Sequence, residues 1–285
     1  MAIKLVLCDM DGTLVPFGSR GVSTRTINSI HALMDAGIHF GPSSGRALCD
    51  LVSFFSGDEA CINTGILANG KLVFVDGELV YRRPIPRVAL SELVEALYGI
   101  HDAVFNFYLP VDEHGRGPAG FGAAGASPQE LAALSSAIGE PFSGGLYQEL
   151  PDGDIVAGAV LVNPERVGLN EVQSLLREAC PDLDFPFSGP FVMDVVEKGW
   201  SKLNALPVIQ EALGVELDEI AYFGDSHNDL TMMEAIPNAF CPSGGLDEAK
   251  ALARWVIGAC EDDCVAQVLD SLVAHGGELV PSDWS

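Results

Sequence analysis

The sequence predicts an α/β fold in which a doubly wound parallel sheet carries a second, inserted α/β domain. Strand-like and helix-like segments alternate along the chain, which is typical of a parallel sheet wrapped by helices. Polar residues that could act in catalysis or bind a ligand follow three predicted strands that lie far apart in the chain. Two proline-bearing stretches, at 82–86 and 185–190, bracket a segment long enough to form a domain of its own.

The first elements follow directly from local patterns. Residues 3–8 form a mostly apolar run with the length and β-branched character of a buried strand. A helix is predicted next, with Ser23 as its N-cap and Gly37 at its C-terminal end. Residues 38–44 are predicted to form a second strand and its exit turn.

The inserted segment mixes both element types. Its predicted elements are helices at 90–97 and 169–180 and strands at 103–109 and 155–162. The glycine-rich run 115–125 is predicted to be a loop. Its Gly120-Phe-Gly-Ala-Ala-Gly125 spacing formally matches a dinucleotide fingerprint, but no predicted strand leads into it, so cofactor binding is not predicted there.

The last third of the chain returns to core elements. Strands are predicted at 219–225, 239–241 and 255–257, and Ser226 or Asn228 can cap a short helix after the first of them. Pro207 lies inside the helix expected after Lys202. That helix is therefore predicted to kink or to begin late.

Composition excludes several classes of protein. Forty acidic residues against 15 basic ones give a formal net charge of −25, so neither nucleic acid nor an anionic membrane surface is predicted as a partner. An anionic substrate would need a local cation, either a metal or one of the few basic side chains. No apolar stretch approaches the ~18 residues of a membrane span, and no signal peptide is predicted. The oligomeric state is left open.

Cysteine usage bears on the compartment. Seven cysteines without regular spacing argue against a disulfide framework and predict a reducing, cytoplasmic location. The closest pair, Cys260 and Cys264, has no second pair and no histidine motif beside it. A zinc site is therefore not predicted.

Acidic, hydroxyl and basic residues follow the three separated strands. Asp9 and Asp11 follow the first strand, Ser43-Ser44-Gly45-Arg46 follows the second, and Gly224-Asp225-Ser226-His227-Asn228-Asp229 follows the third. Two carboxylates placed together repel each other unless a cation or a shared proton lies between them. Asp9 and Asp11 alone therefore predict a metal or a shared proton. Lys202 adds a positive charge at a predicted helix start, where free N–H groups also favour an anion.

In chain order, this set resembles the four motifs of the haloacid dehalogenase-like (HAD) phosphohydrolases: Asp9–Leu14, Ser44–Arg46, Lys202 and Gly224–Asp229. The sequence is most similar to the Cof-type phosphatases, which carry a large α/β cap between the second and third motifs. The resemblance implies a Rossmann-like HAD catalytic core over 1–83 and 192–285 and an inserted α/β cap domain over 84–191. In the family, closure of such a cap excludes water and sets specificity.

The resemblance also implies residue roles. Asp9 would be the nucleophile that forms an aspartyl phosphate, and Asp11 would be the general acid and then the general base. The implied phosphate or substrate ligands are Ser44, Gly45, Arg46, Lys202 and Asn228, and the implied Mg²⁺ ligands are Asp9, Asp11 through its carbonyl, Asp225 and Asp229. Ser43 is a rival for the role of Ser44, where the family more often has threonine, and Lys198 is a rival of Lys202. His227 is expected to be exposed.

The predicted function is Mg²⁺-dependent hydrolysis of a phosphomonoester in a small phosphorylated metabolite, with a sugar phosphate as one candidate. A phosphomutase would use the same nucleophile but return the group to substrate. A phospholigand-binding protein would keep the metal site without turnover. A phospho-acceptor signalling domain also combines acids, a hydroxyl and a lysine, but the large insert and the acid at Asp11 argue against it.

Overall fold

The computed structural model describes residues 2–138 and 145–284. In chain order its strands are β1 (Leu5–Cys8), β2 (His39–Pro42), β3 (Gly65–Leu67), β4 (Leu72–Val75), β5 (Glu78–Arg82), β6 (Ala103–Tyr108), β7 (Phe121–Ala124), β8 (Leu146–Tyr147), β9 (Gly158–Val162), β10 (Leu183–Asp184), β11 (Phe187–Gly189), β12 (Val192–Asp194), β13 (Val196–Glu197), β14 (Ile220–Phe223), β15 (Asn238–Pro242) and β16 (Trp255–Ile257). The α-helices are α1 (Thr24–Asp35), α2 (Leu48–Phe54), α3 (Arg87–Leu97), α4 (Pro128–Ile138), α5 (Leu169–Ala179), α6 (Leu206–Leu213), α7 (Leu230–Ala235), α8 (Asp247–Leu252) and α9 (Cys264–Ala274). Among the described residues, no helix is both long and apolar enough to cross a bilayer.

The chain divides into two compact units. The first contains the residues up to Arg82 together with those from Ser201 onward, and the second contains Arg83–Trp200. The sequence placed the return to the core at 191/192, earlier than this division. The difference arises because β12 pairs with β9, with Met193 opposite Val160, so β12 belongs to the sheet of the inserted unit.

A parallel sheet forms the centre of the first unit. Its strand order is β16-β15-β14-β1-β2, and every neighbouring pair is parallel. The order reverses between β1 and β14, and ligands of such sheets bind outside the carboxyl ends of the strands at that switch point. The predicted doubly wound parallel sheet is confirmed. A small antiparallel sheet of β3, β4 and β5, which the sequence did not predict, lies in the same unit.

Apolar residues on both faces of the central strands hold this sheet in place. β1 and β14 are buried at every position, which requires cover on both sides. Leu5, Leu7 and Tyr222 pack with Ile209 of α6 and Met232 of α7. Helices α1 and α9 pack against each other. The strands that carry the candidate site are therefore rigidly supported.

Local signals around the helices of this unit are mostly confirmed. Ser23 caps α1 by accepting a hydrogen bond from the backbone N–H of Thr26 at 3.0 Å. A 3₁₀ turn covers Lys202–Ala205 and α6 then begins at Leu206, so the late start predicted from Pro207 is confirmed. The predicted caps of α7 are wrong. Asp229, rather than Ser226 or Asn228, occupies the N-cap position of that helix.

The second unit is built on a mostly antiparallel sheet with the order β11-β12-β9-β6-β7-β8, in which only the pair of β7 with β8 is parallel among the described strands. Helices α3 and α5 pack against each other, and their apolar faces join Phe105 and Phe107 in one core. The α/β character of the insert is as predicted.

One prediction for the inserted unit is wrong. The run 115–125 is not loop throughout, because Phe121–Ala124 forms β7 and pairs with β6. Gly122 explains why the sequence suggested otherwise. A methyl group at Gly122 would lie 2.4 Å from Cζ of Phe107, so the strand needs glycine where this ring lies across it. A glycine required by packing was taken for a glycine of a loop.

Candidate active site

The carboxyl ends of β1, β2 and β14 meet in the first unit, as the motif positions require. The backbone N–H of Asp9 donates to the carbonyl of Phe223 at 2.9 Å, and the N–H of Ser43 donates to the carbonyl of Cys8 at 2.7 Å. These bonds continue the parallel pairing by one residue past each strand. Segments more than 200 positions apart in sequence thereby begin their loops side by side.

Three buried carboxylates and one buried ammonium form the centre of the site. Asp9, Asp225 and Asp229 each contribute an oxygen that lies within 4.8 Å of the other two. Lys202 is fully buried, and its Nζ donates to Oδ1 of Asp9 at 2.6 Å and to Oδ1 of Asp229 at 2.7 Å. The rival Lys198 is exposed and belongs to the second unit. Lys202 is therefore the lysine that the fold brings to the acids.

Asp229 is the most heavily hydrogen-bonded of these acids. Tyr222 donates from its hydroxyl to Oδ1 at 2.6 Å, and the backbone N–H groups of Asp225 and Ser226 donate to Oδ2 at 3.1 and 3.2 Å. Burial, and next the charge of Asp229, raise the pKa of the Tyr222 phenol well above its usual value, so it remains a donor. Sequence reasoning missed Tyr222, because an aromatic residue in an apolar strand has the pattern of core.

Asp225 is held by a residue of the first motif. The Thr13 hydroxyl donates to Oδ1 of Asp225 at 2.7 Å, a role not assigned from the sequence, although Thr13 stands inside the Asp9–Leu14 motif. Burial, and next the charge of Asp229, raise the pKa of Asp225 to about 6. The Thr13 hydrogen bond acts in the opposite direction.

The charges of the cluster do not balance. Burial first, and then the neighbouring acid Asp229, raise the pKa of Asp9 well above its usual value even though Lys202 opposes this. Burial alone would lower the pKa of Lys202, but Asp229 and Asp9 outweigh it and the pKa is raised. One ammonium among three carboxylates leaves an excess of negative charge in a desolvated site. Carboxylate oxygens are hard ligands of the kind that Mg²⁺ prefers, so these residues fit a divalent cation.

Asp11 lies apart from this centre and is bound by Arg46. The guanidinium donates from Nε to Oδ2 of Asp11 at 2.9 Å and from Nη2 to Oδ1 at 3.0 Å. Asp11 is about one-third exposed, whereas Asp9 is buried. The two acids of the first motif thus have different environments, as different roles would require.

The remaining predicted ligands lie in the turns beside the cluster. Ser44 accepts a hydrogen bond from the backbone N–H of Arg46 at 3.2 Å, with half-buried Gly45 between them. Ser43 is also buried, and its hydroxyl has no hydrogen-bond partner among the described residues, so it stays a rival for the phosphate. The side chain of Asn228 accepts a hydrogen bond from the Ser226 hydroxyl at 2.8 Å. His227 is exposed, as expected.

Gly12 separates the Asp225 carboxylate from an exposed aromatic ring. A methyl group at Gly12 would lie 2.5 Å from Cε2 of Phe17 and 2.6 Å from Oδ2 of Asp225, and its φ is +86°. Gly12→Ala is expected to lose about 1–3 kcal/mol of stability and to weaken the binding of a divalent cation at the acidic cluster, because both neighbours must move. Thermal unfolding with and without Mg²⁺ measures this.

Gly18→Ala is the matched control for that change. Its φ is +79° but nothing lies within 4 Å of an added methyl group, so it carries the backbone cost alone. Equal losses in Gly12→Ala and Gly18→Ala would show that Gly12 is needed only for its backbone conformation.

The raised pKa of Asp225 gives a pH dependence with a definite sign. The folded state keeps a proton on Asp225 up to about pH 6, whereas the unfolded chain releases it near the usual value of 3.8. In EDTA, this group therefore stabilises the fold fully below about pH 4, and the contribution is lost as pH rises through 6. Asp225→Asn should gain on the order of 1–3 kcal/mol relative to wild type between pH 4 and pH 7. A stability difference that stays constant across this range in urea unfolding would contradict the expectation.

The fold, the switch-point location and the acid–lysine cluster define an enzyme of the phosphoryl-transfer type, and comparison with known proteins agrees. A model of the haloacid dehalogenase-like hydrolase family matches residues 6–269. The chain belongs to this family, and it is a phosphatase of the HAD superfamily.

Relatives match along nearly the whole chain. The 5-amino-6-(5-phospho-D-ribitylamino)uracil phosphatase YbjI of Escherichia coli is 25% identical over 96% of this chain and 98% of its own length. The HMP-PP phosphatase of Yersinia pseudotuberculosis is 27% identical over 93% of this chain and 94% of its own length. Among solved structures, the HAD phosphatase BT1666 of Bacteroides thetaiotaomicron is similar in fold, with a TM-score of 0.75 at 20% identity over 95% of each chain.

Proposed function

We propose that this protein is a Mg²⁺-dependent phosphomonoester hydrolase that acts on a small phosphorylated metabolite through an aspartyl phosphate at Asp9. The observation that carries the proposal is the buried contact of Lys202 with both Asp9 and Asp229 beside Asp225. A fully buried cluster of a lysine and three acids is costly to maintain for stability alone, because replacing a whole buried ion pair or triad by apolar residues is often neutral or stabilising. Its position suits phosphoryl transfer, in which charge neutralisation supplies most of the rate.

The residues divide the chemistry between them. Asp9 attacks phosphorus and becomes the acyl phosphate, while Lys202 offsets negative charge on Asp9 and on the transferring group. Asp11 passes a proton to the departing oxygen and then takes one from the water that attacks phosphorus in the second step. Asp9, the Asp11 carbonyl, Asp225 and Asp229 are the groups that would hold Mg²⁺. When bound, the ion cancels the repulsion between a carboxylate and a phosphate dianion.

The substrate is proposed only by class. Named relatives act on a phosphoribitylamino-uracil and on HMP-PP, and one structural neighbour is described as a sugar phosphatase. All of these substrates are small phosphorylated metabolites, and we propose the same class for this protein. A sugar phosphate remains one candidate. Nucleic acid remains an unfavourable partner for a chain of net charge −25. We also propose a cytoplasmic location, with which the seven free thiols are compatible.

Phosphate release from a panel of phosphorylated metabolites and a generic aryl phosphate tests this function. Turnover should require Mg²⁺, stop in EDTA and be absent from Asp9→Asn. Substrate isomerisation without net phosphate release would favour the phosphomutase. A protein that binds Mg²⁺ and phosphorylated ligands but turns over nothing on the panel would be the binding protein instead.

A further inference from the structure

The guanidinium of Arg46 is fixed from several sides. It donates to both carboxylate oxygens of Asp11, at 2.9 and 3.0 Å, and from Nη1 to Oδ2 of Asp50 at 2.5 Å. Its Cζ also lies 4.3 Å from the centre of the Phe54 ring. Such planar, bidentate contacts fix direction as well as distance, which a lysine ammonium cannot do.

Helix α2 supplies the anchors. Asp50 and Phe54 are four residues apart on α2, so both project from the same helix face towards the Arg46 side chain. The backbone of Arg46 is tied as well, because its carbonyl accepts from Ala68 N–H at 2.9 Å and its N–H donates to Ser44. Arg46 is thus held at both ends, independently of Asp11.

Asp11 needs such a partner more than Asp9 does. Asp9 is immobilised by burial and by Lys202, but the Asp11 side chain is 32% exposed. A partly exposed aspartate can rotate among staggered side-chain conformations. A general acid must be held within hydrogen-bond reach of the atom that it protonates, so free rotation would lower the rate.

Given the proposed function, on which this step rests, we infer that Arg46 is a positioning residue that aims the Asp11 carboxyl group at the leaving oxygen, rather than a ligand of the phosphate. All three guanidinium nitrogens already donate to carboxylates, and two acids beside one cation offer little attraction to a phosphate dianion. Each Asp11 oxygen retains a second lone pair for the proton that it transfers.

The leaving group distinguishes this role from the others. An alkyl phosphate expels a strongly basic alkoxide and depends on protonation by Asp11, whereas p-nitrophenyl phosphate expels a weakly basic phenoxide and depends on it little. If Arg46 no longer holds the Asp11 carboxyl group in position, turnover of alkyl substrates should therefore slow more than turnover of aryl substrates. Loss of a phosphate ligand should raise KM for both substrates, and general damage to the site should slow both equally.

The experiment compares Arg46→Gln and Arg46→Lys with wild type on p-nitrophenyl phosphate and on an alkyl phosphate that the enzyme accepts. For Arg46→Gln we expect kcat on the alkyl substrate to fall about 10–100-fold more than on the aryl substrate, with KM changed less than about threefold. Arg46→Lys should recover part of the alkyl rate. In an Asp11→Asn background, Arg46→Gln should lower kcat by less than about threefold further, because the carboxyl group that Arg46 positions is already absent.

Asp50→Asn is the second variant, since it loosens the anchor without touching Asp11. It should show the same leaving-group selectivity to a smaller degree, with thermal unfolding confirming that each variant is folded. Equal losses on the two substrates, a rise in KM alone, or additivity with Asp11→Asn would overturn the inference while leaving the phosphatase assignment intact. Wild-type protein without Asp9-dependent turnover would instead overturn the proposed function, and this inference with it.

Discussion

Asp9→Asn is expected to reduce phosphate release by ~10⁴-fold or more while leaving the fold intact. An amide cannot attack phosphorus as a carboxylate does, and the exchange preserves shape. Burial and the charge of Asp229 raise the pKa of Asp9, so its ionised form is costly to hold in the folded protein, and a neutral amide removes that cost. Metal-free Asp9→Asn should therefore unfold at the same temperature as wild type or higher, and its stabilisation by Mg²⁺ should be smaller.

Asp247→Asn serves as the control, because the Asp247 side chain is fully exposed and lies outside the cluster. It should match wild type in turnover and in its response to Mg²⁺. Asp9→Asn protein that still turns over substrate at more than about one-hundredth of the wild-type rate would show that another group is the nucleophile.

Lys202→Met should have the second large effect, on both stability and activity. Nζ of Lys202 bridges Asp9 and Asp229 with the side chain fully buried, so its removal leaves desolvated carboxylates without their cation. Breaking a buried ion pair from one side typically costs about 3–5 kcal/mol, and we expect that loss in EDTA. Turnover should fall by about 10²–10³-fold, as when an electrostatic donor is removed from an active site. Urea unfolding and steady-state kinetics measure the two effects.

Lys198→Met is the matched control for that variant. Lys198 is exposed, so its replacement should leave both stability and turnover close to wild type. If Mg²⁺ balances the same charges, it should restore part of the stability of Lys202→Met. A variant at Lys198 that loses activity, beside a Lys202→Met protein that keeps it, would reverse the assignment between the two lysines.

Much of the site was predictable because its residues follow strands whose ends must meet. Asp9, Ser44 and Asp225 each come directly after or close behind a recognisable strand, and parallel pairing brings those ends to one edge. Order along the chain and motif spacing then selected Lys202. These features depend on local pattern and topology, both of which are visible in a single sequence.

Features that depend on side-chain packing were not predictable. The hydroxyl of Tyr222 donates to Asp229 from inside an apolar strand, and the sequence pattern there does not indicate that this residue belongs to the site. Arg46 was expected to contact substrate, and the sequence did not show that its guanidinium also donates to Asp11 and Asp50. The strand around Gly122 was mistaken for loop because this glycine leaves room for the neighbouring ring of Phe107. In each case the deciding neighbour is remote in sequence or hidden by an ordinary local pattern.

The most direct test of the central claim is to locate the covalent intermediate. Borohydride reduces an acyl phosphate to the alcohol, so an aspartyl phosphate trapped during turnover becomes homoserine at the residue that carried it. Rapid quenching of enzyme mixed with substrate and Mg²⁺, followed by peptide mass spectrometry, should find homoserine at position 9 and none in EDTA. Homoserine at a different aspartate, or continued phosphate release by Asp9→Asn, would contradict the account.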